Sequence, residues 1–120
     1  MGYSMSVIVS IASGLLAVVV AVTGILKVVG HKSMRDNAEH FGFSMQAFRL
    51  LGLAEIAGAI GLIAGNWWTG LGVISALAIL LLLVGAAILH LHVDKSVKSA
   101  APAVMCGALA AFVAAGWIVG

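Results

Sequence analysis

Residues 48–65 read FRLLGLAEIAGAIGLIAG. Past Arg49 every residue is apolar or small except Glu55, which lies about two helical turns inside a stretch suited to lipid. Reading this stretch as a membrane-spanning helix decides the fold, and the lone carboxylate then becomes the residue to explain. An unpaired charge at that depth costs several kcal/mol or takes up a proton, whereas a neighbouring cation keeps it ionised.

The rest of the chain agrees with that reading. Of its 120 residues 63% are hydrophobic and 8% charged, against about 25% charged in soluble domains. Four apolar runs are long enough to cross a hydrocarbon layer of about 30 Å, at roughly 6–28, 48–68, 71–92 and 101–118. The first run has nothing basic before it and is too long for a signal core, so it reads as a span. The expected fold is all-α: an integral membrane four-helix bundle forming a single transmembrane domain over residues 1–120.

Charge sets the expected topology. Lys27, Lys32, Arg35 and Arg49 lie in or beside the first connection and Lys95 and Lys98 in the third, while the second, GNWWTG at 65–70, has no charge. The positive-inside rule puts the first and third connections in the cytoplasm and both termini outside, in a cytoplasmic (inner) membrane of bacterial type. Trp67 and Trp68 fit a headgroup-level aromatic belt. The net charge of +2 comes from these loop residues and implies no nucleic acid partner.

The first connection, KSMRDNAEHFGFSMQAF at 32–48, has apolar residues at near-helical spacing broken at Gly42, so a short interfacial helix is expected there, acting as a connector. Ser33 followed by Asp36 suggests its start. In the second span Ala54, Ala57, Gly58, Gly61 and Gly65 form overlapping small-xxx-small spacings, a face for close helix contact.

The ionisable residues fall toward one leaflet: Lys27 late in the first span, Arg49 and Glu55 early in the second, His90 late in the third. Arg49 and Glu55 are separated by about 120° around their helix and do not stack, so Lys27 is the expected partner of Glu55, with Arg49 and His90 bordering the same pocket. Two readings stand side by side: an ion pair that fixes helix register, and the polar floor of a ligand, quinone or proton site. His90 and His92 point about 200° apart and cannot share a metal ion; His31 and His40 lie in the first connection, and only a fold that brought His40 and His90 together would offer a haem or di-iron centre. With a single cysteine, Cys106, no CxxC pair is possible. No catalytic set and no metal site are expected.

These motifs carry a resemblance. TGILKVVG at 23–30, then HFGFSMQAFRLLGLAEIAGAIGLIAG at 40–65 and LLLVGAAILHLHVD at 81–94 resemble the DoxX-like family of small four-helix membrane proteins. Its most specific parts here are Gly24 and Lys27, then Arg49, Gly52 and Glu55, then His90. The family takes its name from the small membrane subunit of an archaeal thiosulfate:quinone oxidoreductase, and similar bacterial proteins are linked to thiol-stress systems. The resemblance therefore implies an accessory or anchoring subunit of a membrane oxidoreductase or other complex, with other membrane subunits, lipid or a second copy as partners. It implies no intrinsic cofactor, but a quinone or lipid as ligand, and no enzyme activity in the isolated chain. The alternative is a small proton-coupled exporter acting as a homodimer through Glu55. In such exporters the acid belongs to the first helix among aromatics, which is not its place here.

Overall fold

The structure is a computed structural model that describes residues 3–119, with side chains from residue 6. Five helices follow one another: α1 (Tyr3–Val29), α2 (Lys32–Phe41), α3 (Met45–Ala64), α4 (Thr69–Val93) and α5 (Val97–Val119). All but α2 are long and apolar enough to cross a membrane. This is a multi-pass membrane protein. The long helices run alternately up and down in a ring, with α1 against α3, α3 against α4, α4 against α5, and α5 closing on α1.

Capping residues explain where the helices differ from the expected spans. Ser44 accepts a hydrogen bond from the Ala47 amide at 3.1 Å, so α3 starts at Met45 rather than Phe48 and ends at Ala64. Trp67 and Trp68 thus fall in the turn beyond the helix, exposed. Ser96 caps α5 through the Ser99 amide, starting the helix at Val97, before the expected 101, with Pro102 inside it. The short helix α2 is capped by His31, whose ring accepts from the Ser33 amide at 3.2 Å, and not by Ser33. It ends as expected at Gly42, in a left-handed conformation at φ 79°. There the Gly42 and Phe43 amides turn back to the Glu39 and Ala38 carbonyls, a Schellman closure.

The bundle has a closed half and an open half. The fully buried side chains include Leu16, Leu62, Ile79 and Val113, one from each long helix, and the core around them draws on residues 9–20, 59–62, 76–79 and 110–114. All of these lie toward the α3–α4 turn. Small residues let the backbones approach there: Gly65 and Gly72 face each other under the Trp117 ring, and Gly61 faces Ser75. The Gly58, Gly61 and Gly65 face of α3 is therefore an internal contact with α4, while Ala54 and Ala57 are exposed. At the other end the four helices spread, and α2 lies among them. All six lysines and arginines are at this end.

Candidate functional site

The open half is built around a close crossing of α1 and α3. Gly24 and Gly52 touch backbone to backbone: a Cβ on Gly52 would lie 2.6 Å from the Gly24 carbonyl oxygen and 2.8 Å from the Lys27 Cβ. One turn beyond each glycine stands a charged residue, and the crossing brings the two together. Lys27 Nζ donates to Glu55 Oε1 at 2.7 Å. The two side chains are 13% and 17% exposed, so this is an ion pair largely withdrawn from solvent.

Two further groups complete the pair. The Thr23 hydroxyl donates to Glu55 Oε2 at 2.7 Å, so both carboxylate oxygens have donors. Thr23 lies four residues before Lys27, on the same face of α1. The Lys27 ammonium also lies 5.3 Å from the centre of the Phe48 ring, within cation–π range. An ammonium has three N–H donors, and among the described residues Glu55 is the one acceptor that hydrogen-bonds to it.

Lys27 and Glu55 line two cavities at once. The larger, about 430 Å³, is bounded by α3 and α4 and covered by α2, with Phe48, Leu82 and His90 in its wall. The smaller, about 240 Å³, lies toward α5 and is almost wholly apolar apart from the pair and Thr23, with Pro102 and Cys106 on its far side. Leu82 and Ala86, one turn apart on α4, border both. The cavities thus meet at the ion pair.

A second polar cluster closes the loop end of α4. His90 Nδ1–H donates to Ser99 Oγ at 2.8 Å, and Ser99 Oγ–H donates to Asp94 Oδ2 at 2.5 Å. The other Asp94 oxygen faces His40 Nε2 of α2 at 2.5 Å. These donors, Ser99 first and His40 next, lower the Asp94 carboxyl from 3.8 to about 2. The stability this contributes is fully present above pH 3.8 and disappears as the pH falls through about 2. A melting-temperature profile of Asp94→Asn should match the parent at about pH 2 and fall below it at neutral pH; equal profiles throughout would remove the cluster from the stability account.

Of the residues singled out in the sequence, Lys27, Glu55 and His90 share the larger cavity. Arg49 does not border it. It is exposed, and its guanidinium lies beside Gly30 and Arg35 at the α1–α2 turn. The physical reason is the angular offset from Glu55 on α3, which turns Arg49 away from the cavity. Sequence reasoning weighs His40 only as a metal ligand and does not single out Thr23, Asp94 or Ser99. Thr23 was detectable as the i−4 neighbour of Lys27 and Asp94 as the i+4 neighbour of His90, but His40 and Ser99 come from distant elements that only the fold brings near.

No curated protein and no solved structure matches this chain. A model of the DoxX-like family matches residues 11–113, a span that contains the Gly24–Gly52 crossing, Thr23, Lys27, Glu55 and His90. Over most of its length, and with every residue of the buried pair inside the match, the chain belongs to the DoxX-like family.

Proposed function

We propose that this protein is a small membrane subunit that holds a neutral amphiphile, a quinone or a lipid with a carbonyl-bearing head, within a larger membrane assembly. The observation that carries the reading is the Lys27–Glu55 pair at the junction of two largely apolar cavities. Ligand pockets are typically apolar concavities with a few polar groups that fix orientation. Lys27 keeps N–H donors for a carbonyl oxygen. Because Glu55 balances its charge, an anionic head would gain little net attraction, which favours a neutral acceptor. The smaller cavity suits an alkyl or prenyl chain.

The accessory role rests on composition. Nearly all of the chain is spent on spanning helices, and the polar groups at the site are one ion pair with its hydroxyl partner, with Asn37 and His90 at the rim. The exporter reading needs a carboxylate free to exchange its proton, but both oxygens of Glu55 are engaged. The basic loop end belongs in the cytoplasm on the positive-inside rule. In a Cys106→Ala background, Ser33→Cys should react with a membrane-impermeant thiol reagent only after cells are permeabilised. Labelling in intact cells would reverse the orientation.

Filling the larger cavity tests the ligand reading. Gly85 lines it, and a Cβ there meets nothing within 4 Å, so the side chain of Gly85→Leu starts into open space. Parent protein in nanodiscs should bind a decyl-tailed ubiquinone analogue, and Gly85→Leu should weaken that binding at least about tenfold with a melting temperature no lower than the parent's. Equal affinity in the two proteins, or preferential binding of phosphatidylglycerol over the quinone, would overturn the reading.

A further inference from the structure

The helix that covers the larger cavity is attached in an unusual way. Met34, Asn37 and Phe41, at i, i+3 and i+7 on one face of α2, form part of the cavity wall. Yet Ala38 is the only residue of α2 that is buried, so little apolar area holds the helix down. The links on either side turn at glycines in left-handed conformations, Gly30 at φ 71° and Gly42 at φ 79°. An element with few buried contacts between two such turns belongs to the low-stability end of local opening.

What fastens α2 to the far wall is a small polar contact. His40 Nε2 donates to Asp94 Oδ1, just past the end of α4. Phe41 sets its ring edge-on between His40 and His90, with ring centres 4.8 and 4.7 Å away. Asp94 is held in place from behind by Ser99 of α5, which in turn accepts from His90. The opposite end of α2 is tied to its own turn, where Arg35 Nε donates to the Gly30 carbonyl at 2.8 Å.

We infer that α2 is a hinged lid over the larger cavity, latched to the α4–α5 end through His40 and Asp94, and that loss of the His40 charge weakens the latch. This rests on the cavity being the ligand site, since it names the control of access to that site. An imidazole changes charge between about pH 5 and 8. With His40 protonated the contact is a charged hydrogen bond to a carboxylate, roughly twice as strong as one from a neutral donor. Asp94 stays ionised over that range, because its donors hold its carboxyl at about 2.

Two histidines share Asp94, and His40, 55% exposed against 31% for His90, is the one more open to solvent. Facing it from α4 and the turn after it are Asp94 and His90, whose Nδ1 lies 2.8 Å from Ser99 Oγ and 3.3 Å from Asp94 Oδ2. Ser99 is the α5 contribution and does not titrate. Lys27 and Glu55 pair with each other, and Arg49 lies by Gly30 at the far end of α2. His40 is 55% exposed, so bulk pH reaches it and salt weakens the latch. Acid closes the lid; alkali and salt open it.

The test needs no ligand. Leu51 lines the cavity beneath α2. In detergent-solubilised protein with Cys106→Ala, the reaction of Leu51→Cys with a charged, water-soluble thiol reagent reads lid opening. The rate is divided by that of the exposed Ser33→Cys to remove the intrinsic pH dependence of thiol chemistry. The normalised rate should rise about three- to fivefold from pH 5.5 to 8, the size expected of an exposed ion pair. In His40→Gln and in Asp94→Asn it should be high and flat. A flat profile in the parent, or an unchanged slope in His40→Gln, would overturn the latch. A rising profile lost in both variants supports it even if no quinone binds, which would then count against the ligand and not the lid.

Discussion

Glu55→Gln and Lys27→Met will each lower the thermal stability of the protein in detergent, and the double variant will recover much of the loss. The pair joins α1 to α3 at 2.7 Å with both side chains mostly buried. Removing one member leaves the other charge without its partner, at a cost of about 3–5 kcal/mol, whereas replacing both can be nearly neutral. Thr23 sharpens the expectation, since its hydroxyl donates to the second Glu55 oxygen and can still bond to the amide carbonyl that Glu55→Gln leaves in place. Lys27→Met should therefore be no milder than Glu55→Gln. Melting temperatures of the three variants decide it: additive losses would mean that the two residues act independently. The same variants address the exporter alternative, since a stable Glu55→Gln protein that loses proton-coupled cation efflux would favour transport over a structural pair.

A comparable loss is expected from one added methyl group. In Gly52→Ala the new Cβ would meet the Gly24 carbonyl oxygen at 2.6 Å and the Lys27 Cβ at 2.8 Å. Neither is the movable end of a side chain, so α1 and α3 must separate. Overpacking of this kind costs about 1–3 kcal/mol and more where backbone is the obstacle. The separation also stretches the Lys27–Glu55 pair one turn away, so the penalty should approach that of breaking the pair. Gly14→Ala is the control, because a Cβ there meets nothing within 4 Å. It should raise stability by about 0.5–1 kcal/mol through reduced backbone freedom in the unfolded chain. If Gly52→Ala and Gly14→Ala melt together, the close crossing of α1 and α3 is not what holds the open half in shape.

Both predictions bear on why the molecule has two unlike halves. Toward the α3–α4 turn, small residues draw the helices into a packed core. Toward the loop end, α1 and α3 still touch through Gly24 and Gly52, but larger side chains such as Phe48, Leu82 and Leu89 keep α4 off them and leave the cavities. A site at the wide end of a bundle can admit a ligand while the narrow end maintains stability.

The sequence by itself determined the membrane class, the number of spans and the identity of the buried pair. Each rests on strong local physics: lipid tolerates long apolar helices, and a carboxylate within one demands a partner, of which Lys27 was the nearest at matching depth. It also placed the break at Gly42, because a left-handed turn favours glycine. Helix starts were less legible, since a serine cap such as Ser44 or Ser96 declares itself only once its hydroxyl meets a specific amide. The tertiary structure alone decided that Arg49 turns away from the cavity, and that Gly52 of α3 meets α1 while Gly58, Gly61 and Gly65 meet α4. It alone joined His40 to Asp94 across 54 residues of sequence. Periodicity along one helix fixes which residues share a face, but which neighbour that face meets depends on how all the helices pack, and no single segment encodes that.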